Sequence, residues 1–210
     1  MIMYRIGYID EDAGQRNQFR QTFKDDFEVY LIEGHDGVTI EELITEAFDS
    51  HIDLLVIDYE MEELYGYNGD KIAREIYSVK PHFPVIIFTS HESDALDFVD
   101  DANIINGKDI WSGDHHVELE VFKKKLNSLI TSNKNKIIEA EETLKVLEAK
   151  KNEVGLEPNE EDMYVEVNNF LDKKFDGEEH LSRTFYSENT NKRLDYIIAK
   201  TEELINKLPD

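Results

Sequence analysis

Four apolar runs in this chain stop at reactive polar side chains: 4–9 at Asp10 and Glu11, 52–57 at Asp58, 85–88 at Thr89, and 102–106 just before Lys108. Carboxylates are the hard oxygen ligands that magnesium prefers. A hydroxyl and an ammonium are the donors that clamp phosphoryl oxygens. Singly, each residue has an ordinary explanation: Asp58 as a loop acid or helix cap, Thr89 as a β-branched strand residue, Lys108 as a solvated charge. Three crowded carboxyl groups, however, repel one another unless a cation or a proton neutralises them. Taken together, the set reads as a magnesium and phosphoryl site.

That reading requires elements that bring the four run ends to one place. In an open parallel sheet the carboxyl ends of the strands open onto a single crevice. The first half of the chain supplies the pattern, because short apolar runs alternate with amphipathic segments. Strands are expected at 4–9, 27–33, 52–57, 84–89 and 102–106. Helices are expected near 15–25, 38–49, 70–79 and 93–100, which gives five βα units in an α/β, doubly wound, five-stranded parallel sheet. The expected domains are 1–130 for this unit and 131–210 for a helical module.

A long charged segment, 116–154, has neither Pro nor Gly and reads as one helix spanning that boundary. A heptad frame places Ile130, Ile137 and Leu144 at a, and Leu119, Leu126, Ala140, Leu147 and Val154 at d, with Lys123, Asn133 and Lys151 interrupting the seam. Gly155 and Pro158 stop it. Further helices follow at 159–175 and 191–208, their apolar stripes demanding a partner surface. The heptad predicts self-association as a homodimer, although the same stripe could dock on the chain's own C-terminal helices. His115 and His116 are adjacent, point to different faces and lack a spaced ligand set, so they read as helix-start residues. Lys123-Lys-Lys125 reads as a solvated helix face.

Charge narrows the partners. The 210 residues include 23 basic and 47 acidic ones, a formal net charge of −24, which repels nucleic acid and anionic lipid. Residues 1–116 hold 8 basic against 26 acidic side chains, and 117–210 hold 15 against 21, so the acidity concentrates where the cation-seeking crevice would be. With no cysteine, thiolate chemistry and cysteine metal sites are excluded. The opening residues lack the pattern of a signal peptide, and no apolar stretch approaches the ~20 residues of a membrane span. A soluble, cytoplasmic protein is expected.

The order and spacing of Asp10-Glu11, Asp58, Thr89 and Lys108 resemble the receiver domain of two-component response regulators. The resemblance implies a flavodoxin-like sheet of strand order 2-1-3-4-5, a histidine kinase or phosphotransfer protein as phosphodonor, and Asp58 as phosphoacceptor. It implies a Mg2+ held by Asp10, Glu11, Asp58 and the backbone carbonyl of Glu60, with Thr89 and Lys108 binding the phosphoryl group. Glu60 and His91 occupy places that in such domains overhang the acyl phosphate. The chain also departs from the family. Asp109 follows Lys108 where proline is usual, Ile105 takes the place of the aromatic switch residue, and Met61-Glu62 replaces Met-Pro. The loop after Asp58 runs about three residues longer than the common one if Gly69 opens the next helix.

With no basic recognition helix and no glycine-rich nucleotide loop after residue 116, the expected output is protein binding or oligomer control by a switch, not by a turnover enzyme. Two alternatives stand beside it. Asp10-Glu-Asp12 with Thr89 or Ser90, Lys108 and Asp114 faintly resembles haloacid-dehalogenase-type phosphatases, with Asp10 as nucleophile. A pseudo-receiver on a coiled-coil scaffold would keep the fold and lose the chemistry.

Overall fold

The apolar runs form five parallel strands: β1 (Arg5–Ile9), β2 (Glu28–Ile32), β3 (Leu54–Asp58), β4 (Val85–Thr89) and β5 (Ile105–Gly107), in the order β2-β1-β3-β4-β5. This computed structural model describes residues 3–90, 102–111 and 115–172. β3 and β4 are buried at every position, which is why they read as continuous apolar runs and show no alternation. The expected helix at 93–100, the helix at 191–208, His91 and Asp114 lie outside the described residues.

Helices α1 (Ala13–Phe23), α2 (Ile40–Asp49), a single turn α3 (Glu62–Tyr65) and α4 (Gly69–Val79) intervene between strands, and α5 (His116–Glu153) and α6 (Pro158–Asp172) follow. Asp12 caps α1 by accepting from the Gln15 amide at 2.9 Å. Thr39 and Glu42 form a reciprocal capping box on α2. Two cores result, one on each face of the sheet. On one side Leu43, Ile44 and Ala47 of α2 and Ile72, Ala73 and Ile76 of α4 pack on Ile9, Leu55, Ile57 and Ile87. On the other, Phe19 and Phe23 of α1 meet Phe122, Leu126 and Ile130 of α5 over Tyr8, Val56 and Phe88.

Several expectations change. Residues 102–104 form a 3-10 turn, so β5 starts only at Ile105. Leu126 and Ile130, assigned to a coiled-coil seam, are fully buried in the chain's own second core. Lys123 and Lys125 are not simply solvated. Lys123 Nζ pairs with Asp26 at 2.8 Å and with Glu120 at 3.0 Å, while Lys125 Nζ donates to the Asn103 carbonyl at 3.0 Å and to Asn106 Oδ1 at 3.1 Å. Lys123 thereby ties the start of α5 to the turn before β2, and Lys125 ties it to β5 and the turn before it.

The chain divides into two compact units, Met1–Lys134 and Asn135–Asp210. Within the second, Gly155 turns the chain with φ +84 and Pro158 opens α6. Glu160 accepts from the Glu157 amide at 2.9 Å and pairs with Lys150, and Lys151 Nζ sits 4.3 Å from the Tyr164 ring centroid. Leu147, Val165 and Leu171 are buried there. Among the described residues, no helix is long and apolar enough to cross a membrane.

Candidate functional site

The strand order places the ends of β1 and β3 side by side, with β4 and β5 next in line. Asp10 follows β1, Asp58 ends the central strand β3, Thr89 ends β4, and Lys108 follows β5 and opens a 3-10 turn. Ile9 pairs with Ile57, Asp58 with Phe88, and Thr89 with Gly107, so the chemistry-bearing residues share one rim. Asp10 and Thr89 are fully buried and Asp58 nearly so.

Lys108 is the hub. Its Nζ lies 2.8 Å from Asp58 Oδ1 and 3.0 Å from Asp10 Oδ2. Burial works against the ammonium, but the charges of Asp58 and Asp10 outweigh it and hold the lysine above its ordinary value. Asp58 moves the other way. Burial, then the neighbouring Asp10 charge, push its carboxyl from 3.8 up to about 7, against the pull of Lys108 and of the Glu60 backbone amide. One lysine does not neutralise two buried carboxylates.

Asp10 is held by more than Lys108. Its Oδ2 also accepts from the Tyr8 hydroxyl at 2.5 Å, and its Oδ1 accepts from the Asp12 amide at 2.8 Å. Tyr8 stacks on Phe19 at 4.1 Å between ring centroids, which fixes the direction of that hydroxyl. Burial, reinforced by the Asp10 charge, pushes the Tyr8 phenol well up, so it remains a donor. The Arg16 guanidinium donates to the carbonyls of Asp10 at 2.6 Å and of Glu11 at 3.1 Å, which fixes the turn that carries both acids.

Glu11 points elsewhere. Its Oε2 accepts from the Leu64 amide at 3.0 Å, in the turn α3. Among the described residues, no group of three or more His, Asp or Glu stands ready as a complete metal cage. Asp58 Oδ1 is nevertheless buried, and among the described residues its close partner is the Lys108 ammonium at 2.8 Å. A buried carboxylate oxygen with open valence, beside a second acid and a surplus of negative charge, fits a hard divalent cation. Asp58, with Glu11 once it leaves Leu64, has the free oxygens for it.

The loop that follows Asp58 is built against the strand end. Gly69 opens α4 so close to β3 that an added Cβ would come within 2.1 Å of the Asp58 carbonyl oxygen, and its amide donates to Tyr59 O at 2.9 Å. Tyr65 packs on Gly34, where a Cβ would lie 2.6 Å from the ring, and the Tyr67 hydroxyl donates to Val38 O at 2.8 Å. Gly69 opens α4, as the longer-loop reading required, whereas Tyr8 and Arg16 escaped the sequence reading. Tyr8 alone left a usable signal, since residues two apart on a strand share a face and Tyr8 is two before Asp10.

A parallel sheet of order 2-1-3-4-5, with acids after β1 and on β3 and a lysine after β5, decides the architecture. The chain has a flavodoxin-like fold. No family model matches the chain, and no curated protein matches it. Solved structures similar to it include the BeF3-activated DrrB receiver domain, 18% identical, covering 60% of this chain and 99% of that one with a TM-score of 0.45. The signal receiver domain of an HD domain-containing protein from Pseudomonas fluorescens is 12% identical over 65% of this chain and 93% of that one, with a TM-score of 0.49. The chemotaxis response regulator CheY4 of Vibrio cholerae is 19% identical over 50% and 84%, with a TM-score of 0.40. Similarities of this size describe architecture and say nothing of activity. Within this fold, Ile105 is half-buried against the α2/α4 core and Asp109 lies exposed in the 3-10 turn after Lys108.

Proposed function

We propose that this chain is a response regulator whose Asp58 accepts a phosphoryl group from a histidine kinase or phosphotransfer protein in a Mg2+-dependent reaction. The observation that carries the reading is the Asp58 carboxylate itself: buried at the end of the central strand, beside Asp10 and with Lys108 Nζ at 2.8 Å from its Oδ1. In the transfer, an Asp58 carboxylate oxygen forms the new P–O bond as the P–N bond to the donor imidazole breaks, the electron pair leaving on the imidazole nitrogen. Lys108, and Thr89 on the neighbouring strand end, would meet the phosphoryl oxygens. A cation bound by Asp58, Glu11 and the Glu60 carbonyl, with the Asp10 charge beside it, would neutralise charge on those oxygens.

Asp10 is poorly suited to be the nucleophile of a phosphatase, because the Tyr8 hydroxyl, the Asp12 amide and Lys108 already occupy both its oxygens. The protein is therefore read as a switch and not as a turnover enzyme. Its acidity disfavours a nucleic-acid output and leaves a protein partner, or self-association through α5 and the residues after it, as the effector.

Incubation of the full chain with acetyl phosphate and Mg2+, followed by intact mass measurement, tests this. One phosphoryl group per chain is expected, lost in Asp58→Ala. Repeated turnover abolished by Asp10→Asn and surviving Asp58→Ala would overturn the reading in favour of a phosphatase.

A further inference from the structure

Turn α3 lacks a cap of its own. Met61 at its N-cap makes no side-chain hydrogen bond, and the first amides of a helical turn have no partner within it. The Leu64 amide is satisfied from a distance of 53 residues in sequence, by Glu11 Oε2 at 3.0 Å. A carboxylate at a helix N-terminus also meets the positive end of the turn's dipole. The remaining attachments of α3 lie at its edges. Tyr65 N donates to Met61 O at 3.0 Å, Gly66 closes the turn with φ +77 and its amide on Glu62 O at 3.0 Å, and the Tyr65 ring rests on Gly34.

We infer that Glu11 is a shared ligand: it caps α3 while the cation site is empty and lets go of Leu64 when a divalent cation takes its carboxylate, so that α3 reports on the state of the Asp58 site. This inference rests on the cation reading above and adds the regulation of that site. Charge supplies the force. Asp10 and Asp58 together exceed Lys108, so a cation arriving beside Asp58 draws a further carboxylate with open valence, and Glu11 adjoins Asp10 in the same turn. Asp10 has none to spare, with three donors on its two oxygens. Glu11 holds only a neutral amide in a partly exposed place, and exchanging that for a divalent cation is downhill.

The consequence falls on surface residues beside the phosphoacceptor. Glu62 and Glu63 are exposed, and Leu64 is 39% exposed, a large apolar side chain carried by the turn that Glu11 holds. The turn sits within the loop that runs from Met61 to Gly69. Its base is fixed by the Gly69 amide on Tyr59 O and the Met61 amide on Asn68 Oδ1 at 3.3 Å, so release of Glu11 moves the tip and spares the root.

The test uses the 15N-labelled full chain titrated with Mg2+ alone, following backbone amides and their hydrogen exchange. The Asp58, Glu60 and Leu64 amides are expected to shift with one midpoint, and exchange at Leu64 to rise about fivefold, the size of a lost cap. In Glu11→Ala the Leu64 amide is expected to start in the released position and not respond. In Glu11→Gln, whose amide oxygen can still cap but attracts a cation weakly, Leu64 is expected to stay protected throughout. If the Asp58 amide saturates while Leu64 keeps its shift and protection, the shared-ligand device is wrong and the cation site stands. If no amide moves at millimolar Mg2+, the cation reading fails and takes the device with it.

Discussion

Replacing Asp58 by asparagine should stabilise the cation-free protein above neutrality and progressively cease to do so as the pH falls. The Asp58 carboxyl is raised from 3.8 to about 7, by burial first and the Asp10 charge second. A raised acid contributes stability that is complete below the unfolded-state value and is lost as pH rises through the folded-state value. Linkage between those two values leaves about 2.5 kcal/mol of that contribution at pH 5 and almost none at pH 8. Asparagine does not titrate, and Lys108 keeps its partner Asp10 at 3.0 Å in the variant. The stability of the parent minus that of Asp58→Asn is therefore expected to fall by about 2.5 kcal/mol from pH 5 to pH 8. Urea unfolding of both full-length proteins at pH 5, 6, 7 and 8 with a chelator present measures it, provided the urea dependence of each is the same so that midpoints compare directly. A difference that stays flat across this range, or that grows with pH, would refute the claim that burial beside Asp10 leaves Asp58 short of compensation.

Three other perturbations probe the same construction. Lys108→Met removes the cation that faces two buried carboxylates and should cost about 3 kcal/mol at pH 8 by urea unfolding, the usual result of stranding a buried charge; no change would mean that water already reaches the pair. Tyr8→Phe deletes one donor from Asp10 while Lys108 and the Asp12 amide remain, so a loss near 1 kcal/mol is expected, with far-UV circular dichroism unchanged. Gly69→Ala places a methyl group 2.1 Å from the Asp58 carbonyl oxygen, where backbone cannot yield cheaply, and a loss of about 3 kcal/mol or more in thermal or urea unfolding should follow.

The sheet was legible because parallel strands buried on both faces write themselves as unbroken runs such as Leu54–Ile57 and Val85–Phe88. The site was legible because polar residues terminate those runs. What was hidden depends on neighbours distant in sequence. Turn α3 is four residues long and has no period to detect, and its cap comes from Glu11. Lys123 and Lys125 sit in a charged run typical of a solvated face, and only the position of Asp26, Asn103 and Asn106 in space turns them into fasteners. Leu126 and Ile130 satisfy a heptad and a core equally well, since both ask for apolar side chains four residues apart on one helix face; the open face of the sheet took them.

The departures at Ile105 and Asp109 bear on how an event at Asp58 leaves the site. An aliphatic Ile105, half-buried against the α2/α4 core, has no ring to swing between two positions. In the proposed function, negative charge is the quantity that would change most at Asp58, because a phosphoryl group would add charge where Lys108 already faces two acids. The groups able to respond are those that meet charge and also hold structure elsewhere. Lys108 is one: it pairs with Asp58 at 2.8 Å, and two residues before it Asn106 accepts from Lys125 of α5 at 3.1 Å. Glu11 is the other, through Leu64. On the proposed function, both responses would start from polar contacts at the rim of the sheet and would need no aromatic rotamer.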